Sequence, residues 1–453
     1  MNAAGGDVGA VFYARSYARG PVPFLARFVL LPAGPKDAMT STIAAPTPSR
    51  VRAATAATYA AFIGSGFAFA SWASRIPQVR DRLELDSAAL GLVLLAIAAG
   101  SLLALPLSGP VVTRIGSART VMAMAILLGV GLTTAALGSF IGVVPVVIGL
   151  FLLGFANGAW DVAMNVQGTV VERHLGKSIM SRFHAGFSLG TVAGALVGAA
   201  MVALHVEVAV HLAAVAVLVV MPVVWFTRRF VPDDDGTEHD GTGHGGTEQS
   251  QRGGALTAWR EPRTLLIGLF VLTFAFAEGV GNDWISVAAI DGHHVSAALG
   301  TLAFAGFLSA MTAGRWFGPG LLDRYGRVRV VRTIALVGIV GVAVFVFAPV
   351  PGLAYVGALL WGLGASLGFP VGMSAGGDDP RRAAARVSVI ASIGYCAFLA
   401  GPPAIGFLGH QITVLRALVV VAVLLGLAVL IATSVRPLQA VQPTPDETTD
   451  RAA

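Results

Sequence analysis

Twelve separate runs of about 20 predominantly apolar residues mark this chain, and about 20 residues of helix are what it takes to cross the hydrocarbon core of a bilayer. They fall near 54–74, 86–110, 120–140, 143–167, 183–204, 209–227, 263–288, 296–318, 332–349, 352–376, 387–409 and 412–434. A backbone in lipid has no water to bond with, so runs of this kind fold as helices that satisfy their own N–H and C=O groups. The expected fold class is an all-α membrane protein with twelve transmembrane helices. Composition agrees: of 453 residues 55% are hydrophobic and 12% charged, with mean hydropathy +0.77, whereas roughly a quarter of a soluble domain is charged. The first run, AATYAAFIGSGFAFASWA, is rich in small residues that suit close helix contact as well as lipid.

The runs divide the chain. Residues 1–53 read as a flexible extension, with Met39 the expected true start because a short polar leader follows it. Residues 54–227 form a first six-helix bundle and 263–434 a second. Between them, 228–262, which begins RRFVPDDDGTEHDGTGHGGTEQSQRGG, has little to bury and reads as a disordered linker. His239 and His244 in it have no spacing that closes a metal site, and no metal or cofactor is expected. Residues 435–453 form a polar tail.

Charge placement orients the chain. With twelve spans both termini share one side, and the short loops on that side hold twelve Lys and Arg (Arg114, Arg119, Arg173, Lys177, Arg182, Arg324, Arg327, Arg329, Arg332, Arg381, Arg382, Arg386). The opposite loops hold four, Arg75, Arg80, Arg82 and Arg416. By the positive-inside rule the termini are expected in the cytoplasm of a cell whose plasma membrane, the bacterial inner membrane, the chain spans. The formal charge of +6 is spread over these loops and not gathered on one face, so nucleic acid is not an expected partner. The single cysteine, Cys396, excludes an internal disulfide and reads as a packing residue. No phosphate loop, nucleophile constellation or ligand cluster suggests an enzyme.

The two bundles repeat. GPVVTRIGSAR, with Gly109, Arg114, Gly116 and Arg119, follows the second run; PGLLDRYGRVR, with Asp323, Arg324, Gly326, Arg327 and Arg329, follows the eighth, and Arg114, Gly116 and Arg119 recur 210 residues later. Trp72 and Trp284 sit within two residues of that offset. Two pseudo-symmetric six-helix bundles are therefore expected, as in carriers whose halves rock about a central site.

These Arg-x-Gly loops resemble the cytoplasmic signature of the major facilitator superfamily, and the resemblance in helix number, linker and loop position runs from about residue 54 to 434. WASRIPQVRDRL, NGAWDVAMNVQG, SRFHAGFSLGTVAGALVGA and AEGVGNDWISV resemble the bacterial YbjJ-type facilitators, relatives of the fucose–proton symporter branch. Two departures stand out: Thr113 replaces the acidic residue that Asp323 supplies in the second copy, and Ser117 stands where a basic residue is usual. The resemblance implies that the first, fourth, seventh and tenth helices line a central cavity.

Two of those helices carry polar stripes. Asn157, Asp161 and Asn165 in the fourth run, and Glu278, Asn282 and Ser286 in the seventh, stand at i, i+4 and i+8 and share a face; Asp283 lies beside the second stripe. Ionised carboxylates cost about 2.5–3.5 kcal/mol at a bilayer centre even on the lenient insertion scale, so the stripes face protein or water. Asp161, Glu278 and Asp283 are the candidate proton carriers, because burial disfavours a charged carboxylate. The plainer alternatives pair Asp161 with Arg182 and make Glu278 the cap of a helix broken at Gly279 and Gly281. Asn157, Asn165, Asn282, Ser286, Trp72, Trp160, Tyr395 and Arg75 are candidates for binding a small solute, against an interfacial belt for Trp284 and local pairing of Arg75 with Asp81. His184 is a candidate for a proton path or an interfacial residue, while His205 and His211 read as surface.

Gly186, Gly190, Gly194 and Gly198 recur every fourth residue, an expected close helix seam, with Gly401, Pro402, Pro403 and Gly406 its counterpart in the second half and a bend expected at the prolines. The function expected is proton-coupled movement of a small polar, sugar-like solute, with the signature loops as a cytoplasmic gate and a monomer sufficient. The alternatives are a drug–proton antiporter and a sensor or scaffold that binds without transport.

Overall fold

The structure, a computed structural model, describes residues 46–177, 179–233, 257–379 and 382–438. Met39, most of the first extension, His239 and His244 of the linker, and residues 439–453 of the tail lie outside the described residues. Among the described residues, twelve helices are long and apolar enough to cross a membrane: Pro48–Arg82, Ser87–Ile115, Ser117–Gly138, Val143–Leu175, Met180–Ala203, Val208–Thr227, Pro262–His293, Ala297–Tyr325, Arg327–Phe347, Pro351–Gly376, Ala383–Ile412 and Val414–Val435. They are called spans 1 to 12 below. Most run past the predicted apolar limits, because a helix continues by hydrogen bonding after its side chains turn polar. Span 1 is the largest such case: after a kink at Ser74 and Arg75, residues read as an extramembrane loop form the short helix Ile76–Arg82.

The duplication is visible at single residues. Asp86 caps span 2 by accepting from Ala89 N–H at 2.8 Å, and Ser296, 210 residues on, caps span 8 by accepting from Leu299 N–H at 3.4 Å. Gly116 and Gly326 end the same two spans with φ/ψ of 83°/159° and 79°/153°, a positive-φ region that a side chain disfavours. This is why each Arg-x-Gly loop needs its glycine.

Packing repeats as well. Span 3 lies against 4 as 9 lies against 10, 2 against 4 as 8 against 10, 1 against 5 as 7 against 11, and 3 against 6 as 9 against 12. The halves meet through span 2 on span 11 and span 8 on span 5, pairs that exchange under the same shift of six. Buried apolar side chains of both halves form one connected core; in the second half, Trp361 is edge-on to Phe307 (5.6 Å between ring centroids) and donates Nε1–H to the Ala277 carbonyl at 3.1 Å.

Hydrogen bonds and ion pairs join the halves at the end away from the Arg-x-Gly loops. Arg80 bonds Asp291, Thr301 Oγ1 reaches the Ser74 carbonyl at 3.5 Å, and His410 stands 3.6 Å from Asp86. This far end is closed.

The glycines of span 5 do form a seam, with span 1. A Cβ on Gly190 or Gly194 would stand against the carbonyl oxygens of Ile63 or Phe67, and one on Gly198 against Ser74 Oγ. The stretch in span 11 does a different job: Gly91 of span 2 fits against the Pro402 carbonyl, and Gly406 against the Ser87 carbonyl, so this seam joins the two halves. The helix runs unbroken through Pro402 and Pro403.

The linker's beginning is also ordered, against expectation. Phe230 and Val231 are buried in the first half. Gln167, its amide oriented by the bonds it can satisfy, pairs with both backbone groups of Val231 at 3.0 and 3.1 Å. Asp233 then accepts from Ser117 N–H and Oγ, both at 2.5 Å, placing a carboxylate on the N-terminus of span 3.

Candidate functional site

The polar stripe of span 4 is held by two separate sets of hydrogen bonds. Asn157 Oδ1 accepts from Ser65 of span 1 at 2.9 Å. Asn165 Nδ2 donates to the Asp161 carbonyl at 2.8 Å and to Asp161 Oδ1 at 3.2 Å. That leaves the amide oxygen of Asn165 to accept from His184 Nε2 of span 5 at 3.1 Å, which fixes the proton of a neutral His184 on Nε2 and frees Nδ1. Asp161 has no ion-pair partner among the described residues, and Arg182 does not reach it. It is partly exposed, and Tyr395 of span 11 lies within its electrostatic reach.

Span 7 answers with a different device. The helix is continuous through Gly279 and Gly281, so Glu278 caps nothing. Arg315 of span 8 bonds both its oxygens, at 2.8 and 2.7 Å, and sends Nε to the Ser366 carbonyl at 3.3 Å. Ser366 is where span 10 breaks into Pro351–Ala365 and Gly368–Gly376, so the guanidinium serves a carbonyl near the interruption. His184 lies within electrostatic reach of Arg315, so span 5 of the first half and span 8 of the second each bring a polar group toward the other. Of the neighbours, Asn282 Oδ1 is buried without a donor, Ser286 is buried, and Asp283 is partly exposed with no partner among the described residues.

Other candidates are displaced. Trp72, Trp160 and Trp284 are at most 2% exposed, their indole N–H groups without acceptors, so none offers a face to a solute in this conformation and Trp284 belongs to no interfacial belt. Tyr395 is accessible, 6.2 Å from Phe398 and 6.5 Å from Phe369 between ring centroids. Arg75 is buried and donates Nε–H to Nδ1 of His211 at 2.9 Å; Asp81 goes to Arg80, and His211 is not a surface residue. Cys396 is exposed rather than packed, and His205 is exposed as expected.

At the loop end, Arg114, Arg119, Asp323 and Arg329 are exposed and without ion pairs among the described residues, Gly109 borders open space, and Arg324 lies over the Tyr325 ring at 5.2 Å. Arg327 is engaged: it bonds Asp378 at 2.7 Å and Ser374 at 3.0 Å.

Arg315 escaped the sequence reading although its signal was present. A charged residue well inside an apolar run implies a partner, and the span 7 carboxylate was the one available. Asp378, hidden in the loop after span 10, carried no such signal.

The family described as the Major Facilitator Superfamily matches residues 58–397. An uncharacterized MFS-type transporter of Yersinia pestis is 30% identical over 366 residues, covering 81% of this chain and 91% of that one. Among solved structures, the nucleoside transporter NupG superposes with a TM-score of 0.65 at 16% identity, covering 84% of this chain and 98% of that one. A single-residue variant of the E. coli fucose:proton symporter FucP does so with a TM-score of 0.55 at 14% identity, covering 84% and 98%.

Proposed function

The chain belongs to the major facilitator superfamily, and on that premise we propose that it moves a small polar, sugar-like solute across the cytoplasmic membrane by alternating access, coupled to protons through Asp161. One observation carries the coupling: Asp161 is a half-buried carboxylate partnered by an amide and by no cation among the described residues. Such a group gains and loses a proton without breaking an ion pair. Glu278 has the opposite setting: Nη2 of Arg315 takes both its oxygens, which suits it to hold the second half in shape. Asp283 is a second carrier candidate, since it too lacks a cation among the described residues.

The solute class follows from the polar groups left with capacity. Asn282 Oδ1 lacks a donor, Asn157 and Asp161 retain acceptor positions, and Tyr395, within electrostatic reach of Asp161, offers a ring. Hydroxyl-bearing rings meet that demand; fucose and nucleosides, named for FucP and NupG, are of this kind. Asp161 and His184 sit in the loop-end half of their spans, and the far end is closed, so this conformation presents them to the loop side, which the Lys and Arg distribution assigns to the cytoplasm.

The test is dye-reported proton uptake by proteoliposomes on adding each of a panel of sugars, polyols and nucleosides. At least one compound is expected to draw protons with it, and Asp161→Asn to abolish the proton signal while the compound still raises the thermal stability of the purified protein. Flux with an unchanged proton signal in Asp161→Asn refutes the assignment.

A further inference from the structure

The two signature loops differ in charge, and the halves differ again at the helix beside each loop. Span 4 is one helix from Val143 to Leu175, whereas its counterpart, span 10, breaks at Ser366 and Leu367, leaving the nine-residue segment Gly368–Gly376. Arg315, Arg327 and Asp378, which hold this segment, have no charged equivalents in the first half: subtracting 210 from Arg315 and Arg327 gives Leu105 and Ser117, and subtracting the 208 that relates Gly357 and Gly362 of span 10 to Gly149 and Gly154 of span 4 takes Asp378 to Val170.

Both ends of the segment are held by cations from other spans. At the central end, Arg315 joins Glu278 to the Ser366 carbonyl. At the loop end, Asp378 accepts from Arg327 at 2.7 Å and from Arg263 at 3.0 Å, while Arg327 also bonds Ser374 within the segment. The segment lies close on span 7 at two glycines: a Cβ on Gly368 would overlap the Phe274 ring, and one on Gly372 the Val271 side chain. The result is a short rigid element whose two ends touch the central polar site and the second signature loop.

We propose that Arg315 and Asp378 are positioning residues of the transport cycle, and that the segment Gly368–Gly376 transmits the state of the Glu278–Arg315 pair to Arg327 in the signature loop. The proposal rests on the transport reading above. It also accounts for Thr113 and Ser117: the first half has an unbroken span 4 and nothing to transmit, so its loop is instead held by the linker carboxylate of Asp233.

The experiment uses the full chain in proteoliposomes, with Cys396→Ser and a reporter Met373→Cys on the segment, and reads the rate of modification by a water-soluble maleimide without any solute. Arg315→Lys keeps a cation for Glu278 but replaces the fixed fork, in which Nη2 serves Glu278 while Nε is aimed at the Ser366 carbonyl, with a single mobile ammonium that does not hold both in one geometry. Arg315→Lys and Asp378→Asn are each expected to raise the rate about five-fold, and the double variant by about the same five-fold and not by the product, because coupled positions are non-additive. Effects that multiply, or an Arg315→Lys rate equal to the parent's, overturn the proposal. Should Arg315→Lys not fold, Arg327→Gln, at a half-buried position at the loop end, is read through a reporter Phe369→Cys at the central end. A changed rate there supports transmission and an unchanged one refutes it. Proton-coupled flux of the parent chain is measured separately, so loss of the transport reading is distinguishable from loss of the coupling.

Discussion

Arg315 sets a single nitrogen, Nη2, against both carboxylate oxygens of Glu278, at 2.8 and 2.7 Å, and thereby ties span 8 to span 7 in the interior of the second half. Removing one partner strands the other. The side chains are 29% and 16% exposed, so water softens the loss below the roughly 3–5 kcal/mol of a fully buried pair. Glu278→Gln and Arg315→Gln are each expected to destabilise by about 2 kcal/mol, and the double change to recover at least half of that, as measured by thermal unfolding in detergent.

Asp161 and Asn165 make a different prediction because their bond is to an amide. Asp161→Asn retains a donor and an acceptor for Asn165 and keeps the helix intact, so solute exchange across a membrane without a pH gradient is expected to continue. Accumulation driven by a pH gradient is expected to fall to the diffusive baseline. Counterflow and gradient-driven uptake in the same proteoliposome preparation separate the two.

How much of this was legible in the sequence depends on the range of the interaction. Hydropathy found every span, because a bilayer tests each run of residues locally, and the repeat of Arg114, Gly116 and Arg119 showed the pseudo-symmetry. Helix periodicity put Asp161 and Asn165 on one face, where they bond. Partners were harder: Arg315 comes 37 residues after Glu278 and Asp233 comes 116 after Ser117, separations set by tertiary packing. The burial of Trp72, Trp160 and Trp284 was equally hidden, since an indole near the end of an apolar run looks the same whether it faces lipid or a neighbouring helix.

Glu261, just before span 7, predicts an acid-sensitive contact. Arg386, 2.6 Å away, holds its carboxyl below the ordinary glutamate range, helped by Thr264 and Arg382 and opposed by desolvation. A carboxyl depressed in the folded state contributes its stability above the ordinary value, about 4.5, and loses it as pH falls from there through the folded value. Melting temperatures followed from about pH 6 to pH 3.5 are expected to fall more steeply for the parent chain than for Glu261→Gln, which has no such proton to bind.

The seam between spans 1 and 5 distinguishes glycines that look alike in sequence. A Cβ on Gly190 meets backbone, the Ile63 carbonyl oxygen, which cannot rotate away; one on Gly186 meets the Tyr59 ring edge at 3.3 Å, which can. Gly190→Ala is expected to lose about 1–3 kcal/mol through forced separation of the helices. Gly186→Ala is expected to lie within about 0.5 kcal/mol of the parent, the helix-propensity gain of alanine offsetting a small side-chain shift. Thermal unfolding of the two variants side by side reads the contrast.

The closed far end predicts its own opening. Arg80 bonds Asp291 of the other half through both terminal nitrogens while holding Asp81, its neighbour in sequence, at 2.7 Å. Thr301 lies buried in the same closure, against the Ser74 carbonyl. Each exposed ion pair is worth up to about 1 kcal/mol, so Arg80→Gln or Asp291→Asn is expected to raise the population open at this end by about five-fold. With Cys396→Ser and a reporter Thr301→Cys, modification by a maleimide applied from the far side reads that population directly. Exchanging the charges, Arg80→Asp with Asp291→Arg, is expected to restore slow modification, because the pair and not either residue alone holds the halves together. Equal rates in the parent and Arg80→Gln would place the closing contact elsewhere, at Asp86 and His410 or in the packing of span 2 on span 11.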